Sequence, residues 1–252
     1  MFFCADTEDE LLDTIDEILA RLDSVELFAA AHKCTFLSRE IVWCGKAYSQ
    51  GRVSHDPVRL HGLSDMRRPE TTAKLVQFLQ AMNWLRTSLP RIAEVVAPLS
   101  LFVEELMAGA ARQPKRVAKN RATPPAAWTE GRLQAWADAQ DLVAHAVTLY
   151  HPRPGCQVLM FPYASECHWC SFVTQVPDAE MNQTLPVEDM IHEPLAFLSG
   201  TFKGSQMRWA TIDKEGFAIV STFRRLEHFC GMESTFLLIT ATLLIFLTLK
   251  RA

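Results

Sequence analysis

The chain has 252 residues, of which 49% are hydrophobic and 21% are charged, with ten glycines and thirteen prolines. This composition excludes collagen-like, low-complexity and disordered proteins, and the length predicts one large domain or two of ordinary size. The seven cysteines follow no framework spacing, and the apolar start is too short for a signal peptide. We therefore expect a reduced intracellular protein, either cytoplasmic or nuclear.

The charge is distributed unevenly along the chain. Residues 1–30 carry a net charge of −8, residues 31–125 carry +8, and residues 126–252 carry −4. A basic middle region between acidic flanks is typical of a surface that binds a polyanion. A solvated charged face explains it equally well.

The first predicted element is an amphipathic helix over residues 7–30. Thr7 followed by Glu10 is a capping-box signature, and apolar residues recur at helical spacing from Leu11 to Leu22. The apolar face of such a helix requires a partner.

The next segment predicts a β-hairpin. Residues 34–37 and 41–44 are β-prone runs separated by three polar residues. Gly45 follows the second run and is typical of a bulge or a close backbone approach. His55-Asp56-Pro57 predicts a turn.

The middle of the chain is predicted to be helical. One helix begins at Thr71 and has an apolar face formed by Leu75, Phe78, Leu79, Met82 and Leu85. Residues 90–108 form another helix that is interrupted near Pro98. Residues 112–125 are rich in basic residues and end in two prolines, so they predict a linker. A further helix is predicted from Thr129 to about Val147, with Thr129 as its cap.

The second half is predicted to contain strands followed by a helix. Residues 156–161, 172–176 and 194–199 are β-prone, and Asp213 is placed at the start of the helix. This change of pattern predicts a separate α/β domain from about residue 145. Residues 234–249 carry no charge, but they fall short of the about 20 residues of a spanning helix.

Several motifs follow one another in a fixed order along the chain: Asp56-Pro57, Pro69, Thr71, Leu75, Phe78-Leu79, Asn83, Arg86, Ala97-Pro98-Leu99, Trp128-Thr129 and Ala135-Trp136. They resemble the region after the polymerase active site of gypsy-type LTR-retrotransposon polyproteins. That region has a hairpin, a D-P turn, a thumb helix, an A-x-P-L step and a W-T element before the RNase H-like domain. The resemblance covers roughly residues 5–229.

The resemblance implies an α/β (α+β) fold, in which a helical thumb and connection follow a palm-remnant β-hairpin. An incomplete RNase H-like mixed sheet with helices comes next. The implied units are a palm remnant (1–55), a thumb (56–111), a basic linker (112–127), a connection helix with the RNase H-like domain (128–229) and an apolar tail (230–252).

The resemblance implies that the ancestral enzyme was an RNA-directed DNA polymerase and a ribonuclease H, both using Mg²⁺. The polymerase binds its metal ions through an adjacent aspartate pair, and no such pair occurs in this chain. We therefore expect no polymerase activity and no productive Mg²⁺ site.

The nuclease carboxylates are also incomplete. Tyr163 replaces the first family aspartate, and a neutral phenol cannot replace an anionic metal ligand. Glu215 matches the second carboxylate, while Cys170 stands where the family has glycine. The third carboxylate belongs to a T-D-H motif, which we do not find after Phe229. A reading-frame shift near residue 230 is our hypothesis for the apolar tail.

The partner implied by the resemblance is an RNA–DNA hybrid or a primer–template, with no small-molecule substrate. The candidate nucleic-acid-binding residues lie in the hairpin and in the linker, and they are Trp43, Gly45, Lys46, Lys115, Arg116, Lys119 and Arg121. Two alternatives remain: a non-catalytic nucleic-acid-binding protein, or a protein anchored in a membrane by its tail. The C-x-x-C at Cys167 and Cys170 has no second C-x-x-C or H-x-x-H pair to complete a zinc site, although Cys156, His151 and His192 are candidate ligands. It lies between two predicted strands and not at the helix N-terminus that a redox site uses.

Overall fold

The computed structural model describes residues 3, 5, 7–108, 121–181, 186–226, 234–239 and 244–249. Its helices are α1 (Glu8–Ser24), α2 (Pro57–Ser64), α3 (Thr72–Leu85), α4 (Ile92–Val95), α5 (Ala97–Ala108), α6 (Glu130–Ala144), α7 (Asp178–Met181) and α8 (Thr211–Leu226). Its strands are β1 (Ile41–Trp43), β2 (Lys46–Ser49), β3 (Arg52–His55), β4 (Leu149–Tyr150), β5 (Cys156–Ala164), β6 (His168–Pro177), β7 (Glu193–Thr201), β8 (Ser234–Ile239) and β9 (Leu244–Leu249).

The described strands form two sheets. The first has four antiparallel strands in the order β1-β2-β3-β4. The second has five strands in the order β7-β6-β5-β8-β9, in which β5 and β8 are parallel and the other neighbours antiparallel. One core lies among α3, α5 and α6, and another lies between β5, β6, β7 and α8.

Helix α1 begins where the sequence predicts but ends at Ser24, six residues earlier than predicted. The backbone N–H of Glu10 donates to Oγ1 of Thr7 at 3.3 Å. At the other end, the N–H of Leu27 donates to the carbonyl of Leu22, and Glu26 has a φ of +55°. This is a Schellman cap with glutamate in place of the usual glycine, so the sequence does not mark it. No residue of α1 is buried.

The predicted hairpin pairs the wrong two segments. Residues 34–37 form no strand, and β1 pairs instead with β2, with Trp43 opposite Lys46. The two strands are joined by Cys44 and Gly45, with φ values of +51° and +80°. Two positive φ values define a type I′ turn, whose twist matches that of the strands it joins.

The predicted turn at residues 55–57 is also wrong, because this segment begins a helix. Oδ1 of Asp56 accepts a hydrogen bond from the N–H of Val58 at 3.0 Å. Pro57 occupies the first helical position, where its missing N–H costs nothing. Asp-Pro is therefore the N-terminal cap of α2.

The helical core confirms the predicted apolar face of α3. Phe78 packs on Trp136 with ring centroids 4.3 Å apart, and Trp128 contacts Phe102 at 5.3 Å. The helical stretch at residues 90–108 is interrupted between α4 and α5, as predicted. Thr129 precedes α6, but its side chain makes no capping hydrogen bond.

The strands of the second sheet are longer than predicted. Residues 162–171, predicted as a connection, mostly extend β5 and β6, and the turn between them is Ser165–Cys167. The Trp169 indole lies where a Cβ at Gly200 would be, so β6 and β7 approach closely there. Helix α8 begins at Thr211, which places Asp213 in its first turn and not at its cap.

The apolar segment near the end of the sequence forms strands. β8 pairs in parallel with β5, with Val158 opposite Phe236, and β9 pairs with β8. The described part of this segment is therefore strand and not the apolar helix that a tail anchor would use. None of the helices in the described ranges is long and apolar enough to cross a membrane.

Candidate nucleic-acid interface

The β1–β2 turn forms one wall of a cleft of about 380 Å³ against the helical core. The turn contributes Cys44 and Gly45. The opposite walls come from α2 and α3, through Arg59, Leu63, Ala81, Trp84 and Leu85. The turn geometry therefore places the hairpin beside an apolar cleft that has a cation at its side.

An exposed indole and a lysine lie together at this cleft. Trp84 is 54% exposed, and Nζ of Lys46 lies 5.8 Å from the centroid of its ring. Trp43, opposite Lys46 in the hairpin, is 40% exposed. We call Trp43, Lys46, Arg59 and Trp84 the hairpin surface. Sequence reasoning found Trp43 and Lys46 but missed Arg59 and Trp84, because neither lies in the hairpin.

Gly45 is required by two features of the turn. Its φ of +80° is disfavoured for other residues, and the Arg59 guanidinium occupies the space that a Cβ would need. The close approach expected at Gly45 is therefore made by a side chain and not by backbone. Arg59 lies 3.9 Å from Oδ2 of Asp56, at the limit of an ion pair.

His55 ends β3 below this turn and is almost fully buried, with 4% exposure. Its Nε2 lies 3.0 Å from Oγ of Ser88. This contact joins the first sheet to the segment at the end of α3. Burial, reinforced by the nearby Lys46 ammonium, lowers the pKa of His55 from 6.5 to about 4. The side chain is therefore neutral at physiological pH.

The predicted linker residues Lys115, Arg116 and Lys119 lie outside the described residues. Arg121 is described, and its carbonyl accepts hydrogen bonds from the N–H and Oγ1 of Thr72, at 2.9 and 3.1 Å. The end of the linker is thus held at the start of α3. The side chain of Arg121 is exposed and does not line the hairpin cleft.

Tyr163 lies at the end of β5 and is 57% exposed. It shares a small depression with Cys170 and with Arg91 and Glu94, which form an ion pair at 2.7 Å. Side chains alternate along a strand, so Tyr163 faces away from the side on which its neighbour Ala164 packs toward α8.

Glu215 lies on α8 and is half-buried. Its neighbour Lys214 is buried, and Nζ of Lys214 donates to the carbonyls of Glu166 and Met207 at 2.8 and 3.1 Å. No hydrogen bond joins Glu215 to Tyr163 in the part of the chain that the structure describes. Tyr163 and Glu215 lie on two different elements, β5 and α8, which pack against each other.

These residues do not fit Mg²⁺, which binds oxygen ligands in near-octahedral geometry, usually through carboxylates. A phenol and a separate carboxylate do not supply such a set. Among the described residues, no group of three or more His, Cys, Asp or Glu side chains is placed to hold a metal ion. At the C-x-x-C, burial raises the pKa of the Cys170 thiol, the opposite of the shift that activates a redox thiol.

Comparison with known proteins identifies the class of fold. Residues 156–249 match the RNase H-like domain found in reverse transcriptase. A foamy viral protease-reverse transcriptase in complex with an RNA/DNA hybrid has a TM-score of 0.67 and 15% identity, covering 94% of this chain and 28% of that chain. The same enzyme in complex with dsDNA has a TM-score of 0.66, covering 94% and 44%. The α/β fold expected from the resemblance is confirmed.

The sequence relatives are transposon polyproteins. The chain is 20% identical over 229 residues to the Transposon Tf2-3 and Tf2-4 polyproteins of Schizosaccharomyces pombe. The match covers 91% of this chain and 15% of each relative, so the chain spans about a seventh of their length. The resemblance to the reverse transcriptase and RNase H region of a retrotransposon polyprotein is confirmed.

Proposed function

We propose that this chain is a non-catalytic nucleic-acid-binding protein, related to the reverse transcriptase and RNase H region of a retrotransposon polyprotein. The observation that carries the proposal is the hairpin surface, where Lys46 lies over the exposed Trp84 ring beside a cleft that Arg59 lines. An aromatic ring stacks on an unpaired base, such as one at the single-stranded template end of a primer–template, and cations hold the backbone of a primer–template or an RNA–DNA hybrid.

The comparisons support this partner. The similar foamy viral enzyme has been solved with an RNA/DNA hybrid and with dsDNA. Binding to such a partner would take place in the cytoplasm or the nucleus.

The absence of catalysis is the second part of the proposal. The chain contains no adjacent aspartate pair, and Tyr163 stands at the first nuclease position. The RNase H-like match runs through residue 249, so the apolar segment lies inside it and needs no frame shift to explain it. Directly after β8 the sequence reads Thr240-Ala241-Thr242, which we assign to the place of T-D-H and which lacks its carboxylate.

Binding can be tested on the full chain by fluorescence anisotropy with a labelled RNA–DNA hybrid and a labelled primer–template duplex. We expect Trp84→Ala to weaken binding about tenfold, because base–aromatic stacking contributes about 1–3 kcal/mol. Trp209→Ala is the matched control, since Trp209 is also exposed but packs against Phe217 on the other core. Equal effects of the two variants, or an absence of binding at 50 mM salt, would contradict the proposal.

A further inference from the structure

Two arginines from different cores converge on one carbonyl oxygen. Arg86 directly follows α3, and its Nη2 donates to the carbonyl of Ser199 at 2.9 Å. Arg225 lies in the last turn of α8, and its Nη1 donates to the same oxygen at 3.1 Å. The two donor nitrogens are therefore at most about 6 Å apart. We call Arg86 and Arg225 the arginine pair.

The acceptor that holds the arginine pair is itself fixed. Ser199 belongs to β7 and is 2% exposed. Its Oγ accepts a hydrogen bond from the N–H of Ala93 at the start of α4, at 3.2 Å. The guanidinium of Arg225 also lies 4.9 Å from the centroid of the buried Trp169 ring. These contacts hold two cations side by side where the helical core meets the second sheet.

The charge of the arginine pair is not neutralised by carboxylates. Elsewhere Arg91 pairs with Glu94 and Arg153 with Glu193, whereas no carboxylate of the described chain lies within 4.0 Å of either member of the pair. The pKa of Arg225 is lowered, first by burial and then by Arg86. Among the described residues, no carboxylate is a cause of that shift.

The arginine pair also retains hydrogen-bond donors. A guanidinium carries five N–H donors, and each member uses one on the Ser199 carbonyl. Arg225 is exposed as a whole residue, although its guanidinium is partly desolvated, and Arg86 is half-buried, so solvent reaches the pair. Planar guanidinium groups with free donors match the oxygens of a phosphate, which they bind through paired hydrogen bonds.

We propose that the arginine pair, held on the Ser199 carbonyl, is an anion site that binds one phosphate of a nucleic-acid backbone. The proposal rests on the proposed function and extends it, because Arg86 lies two residues after Trp84 of the hairpin surface. Free phosphate has the same chemistry, and the experiment separates the two sources.

The test measures the salt dependence of nucleic-acid binding by the full chain between 50 and 200 mM salt, the range in which phosphate contacts weaken. Each lost phosphate contact lowers the slope of log K against log salt by about 0.7–0.9. We expect this decrease for Arg225→Gln and for Arg86→Gln. The matched control is Arg224→Gln, because Arg224 is the adjacent arginine on α8, and we expect it to leave the slope unchanged.

A second measurement follows the unfolding temperature with and without inorganic phosphate. Phosphate is expected to raise it for the wild-type chain but not for Arg225→Gln, because ligand binding stabilises only the state that contains the site. Arg225→Lys retains the charge and controls for loss of fold. We expect it to keep part of the phosphate effect.

The outcomes separate the two proposals. If nucleic acid binds but Arg225→Gln and Arg86→Gln keep the wild-type slope, the anion site is overturned and the proposed function stands. If nucleic acid does not bind but phosphate stabilises only chains with Arg225, the proposed function is overturned and the site belongs to free phosphate. If Arg224→Gln lowers the slope as much as Arg225→Gln, the effect is general charge and the site is overturned.

Discussion

The hairpin surface and the edge around Tyr163 contain similar groups arranged in opposite ways. At the hairpin surface, Lys46 lies over the exposed Trp84 ring beside an open cleft. At the other edge, Arg91 is already paired with Glu94, and the exposed aromatic is the phenol of Tyr163. Binding requires exposed cations and rings, whereas metal-dependent hydrolysis requires a complete set of converging carboxylates. The hairpin surface has an exposed cation and ring, whereas the edge around Tyr163 lacks the set of carboxylates.

The largest expected effect distinguishes the indoles of the core from those of the hairpin surface. Trp136 packs between Phe78 and Trp128, so Trp136→Ala should lower the free energy of unfolding by about 3–5 kcal/mol. Trp84→Ala should change it by less than about 1 kcal/mol, because the side chain is already half exposed. Urea denaturation measures both values. Similar losses for the two variants would make Trp84 a core residue and remove the contrast.

The next effect concerns pH and the buried His55. Its pKa is 6.5 when unfolded and about 4 in the folded chain. The unfolded state therefore takes up a proton first, and stability that is fully present above pH 6.5 is lost as the pH falls toward 4. The loss amounts to up to about 3 kcal/mol.

The control for this prediction is His55→Gln, which removes the titrating group from the Ser88 contact. Urea denaturation from pH 7.5 to pH 4 should give a flatter profile for the variant than for the wild-type chain. Parallel profiles would show that His55 takes up its proton equally readily in the folded and the unfolded chain, contrary to its burial.

A smaller effect tests the turn that positions the hairpin surface. Gly45→Ala should destabilise the chain by about 1–3 kcal/mol, because alanine is strained at a φ of +80° and its Cβ displaces Arg59. Nucleic-acid binding should weaken as well. Gly51→Ala is the matched control, with a φ of +69° but no atom within 4 Å of its Cβ. A binding loss as large in the control would mean that Arg59 has no part in the site.

The sequence predicts the elements that depend on long periodic patterns. The apolar face of α3 and the break before α5 follow from spacing, and the class of fold follows from the order of motifs. The type I′ turn at Cys44 and Gly45 was not recognisable from its residues, because its first position usually carries asparagine or aspartate. The α2 start was recognisable in principle, since aspartate followed by proline is a common cap.

The candidate sites were predicted only where one local segment contains them. Trp43 and Lys46 are neighbours in the hairpin, and the sequence identifies both. Arg59 reaches the turn from α2, and Arg225 meets Arg86 only because both bind the Ser199 carbonyl, 113 residues after Arg86 in the chain. Such convergence depends on packing between distant elements, and no sequence spacing indicates it.

The smallest expected change is at Tyr163, where a substitution is expected to produce no nuclease activity. Tyr163→Asp restores the residue that the resemblance implies, yet Mg²⁺-dependent cleavage of a labelled RNA–DNA hybrid should stay at background. The restored carboxylate would face away from the side on which α8 packs, and Ala241, which we assign to the third position, carries no carboxylate. Stability should change by less than about 0.5 kcal/mol, as at other exposed positions. Cleavage by Tyr163→Asp but not by Tyr163→Asn would show that Glu215 is within reach of a metal ion shared with the new carboxylate. The absence of catalysis in this chain would then be due to Tyr163 alone.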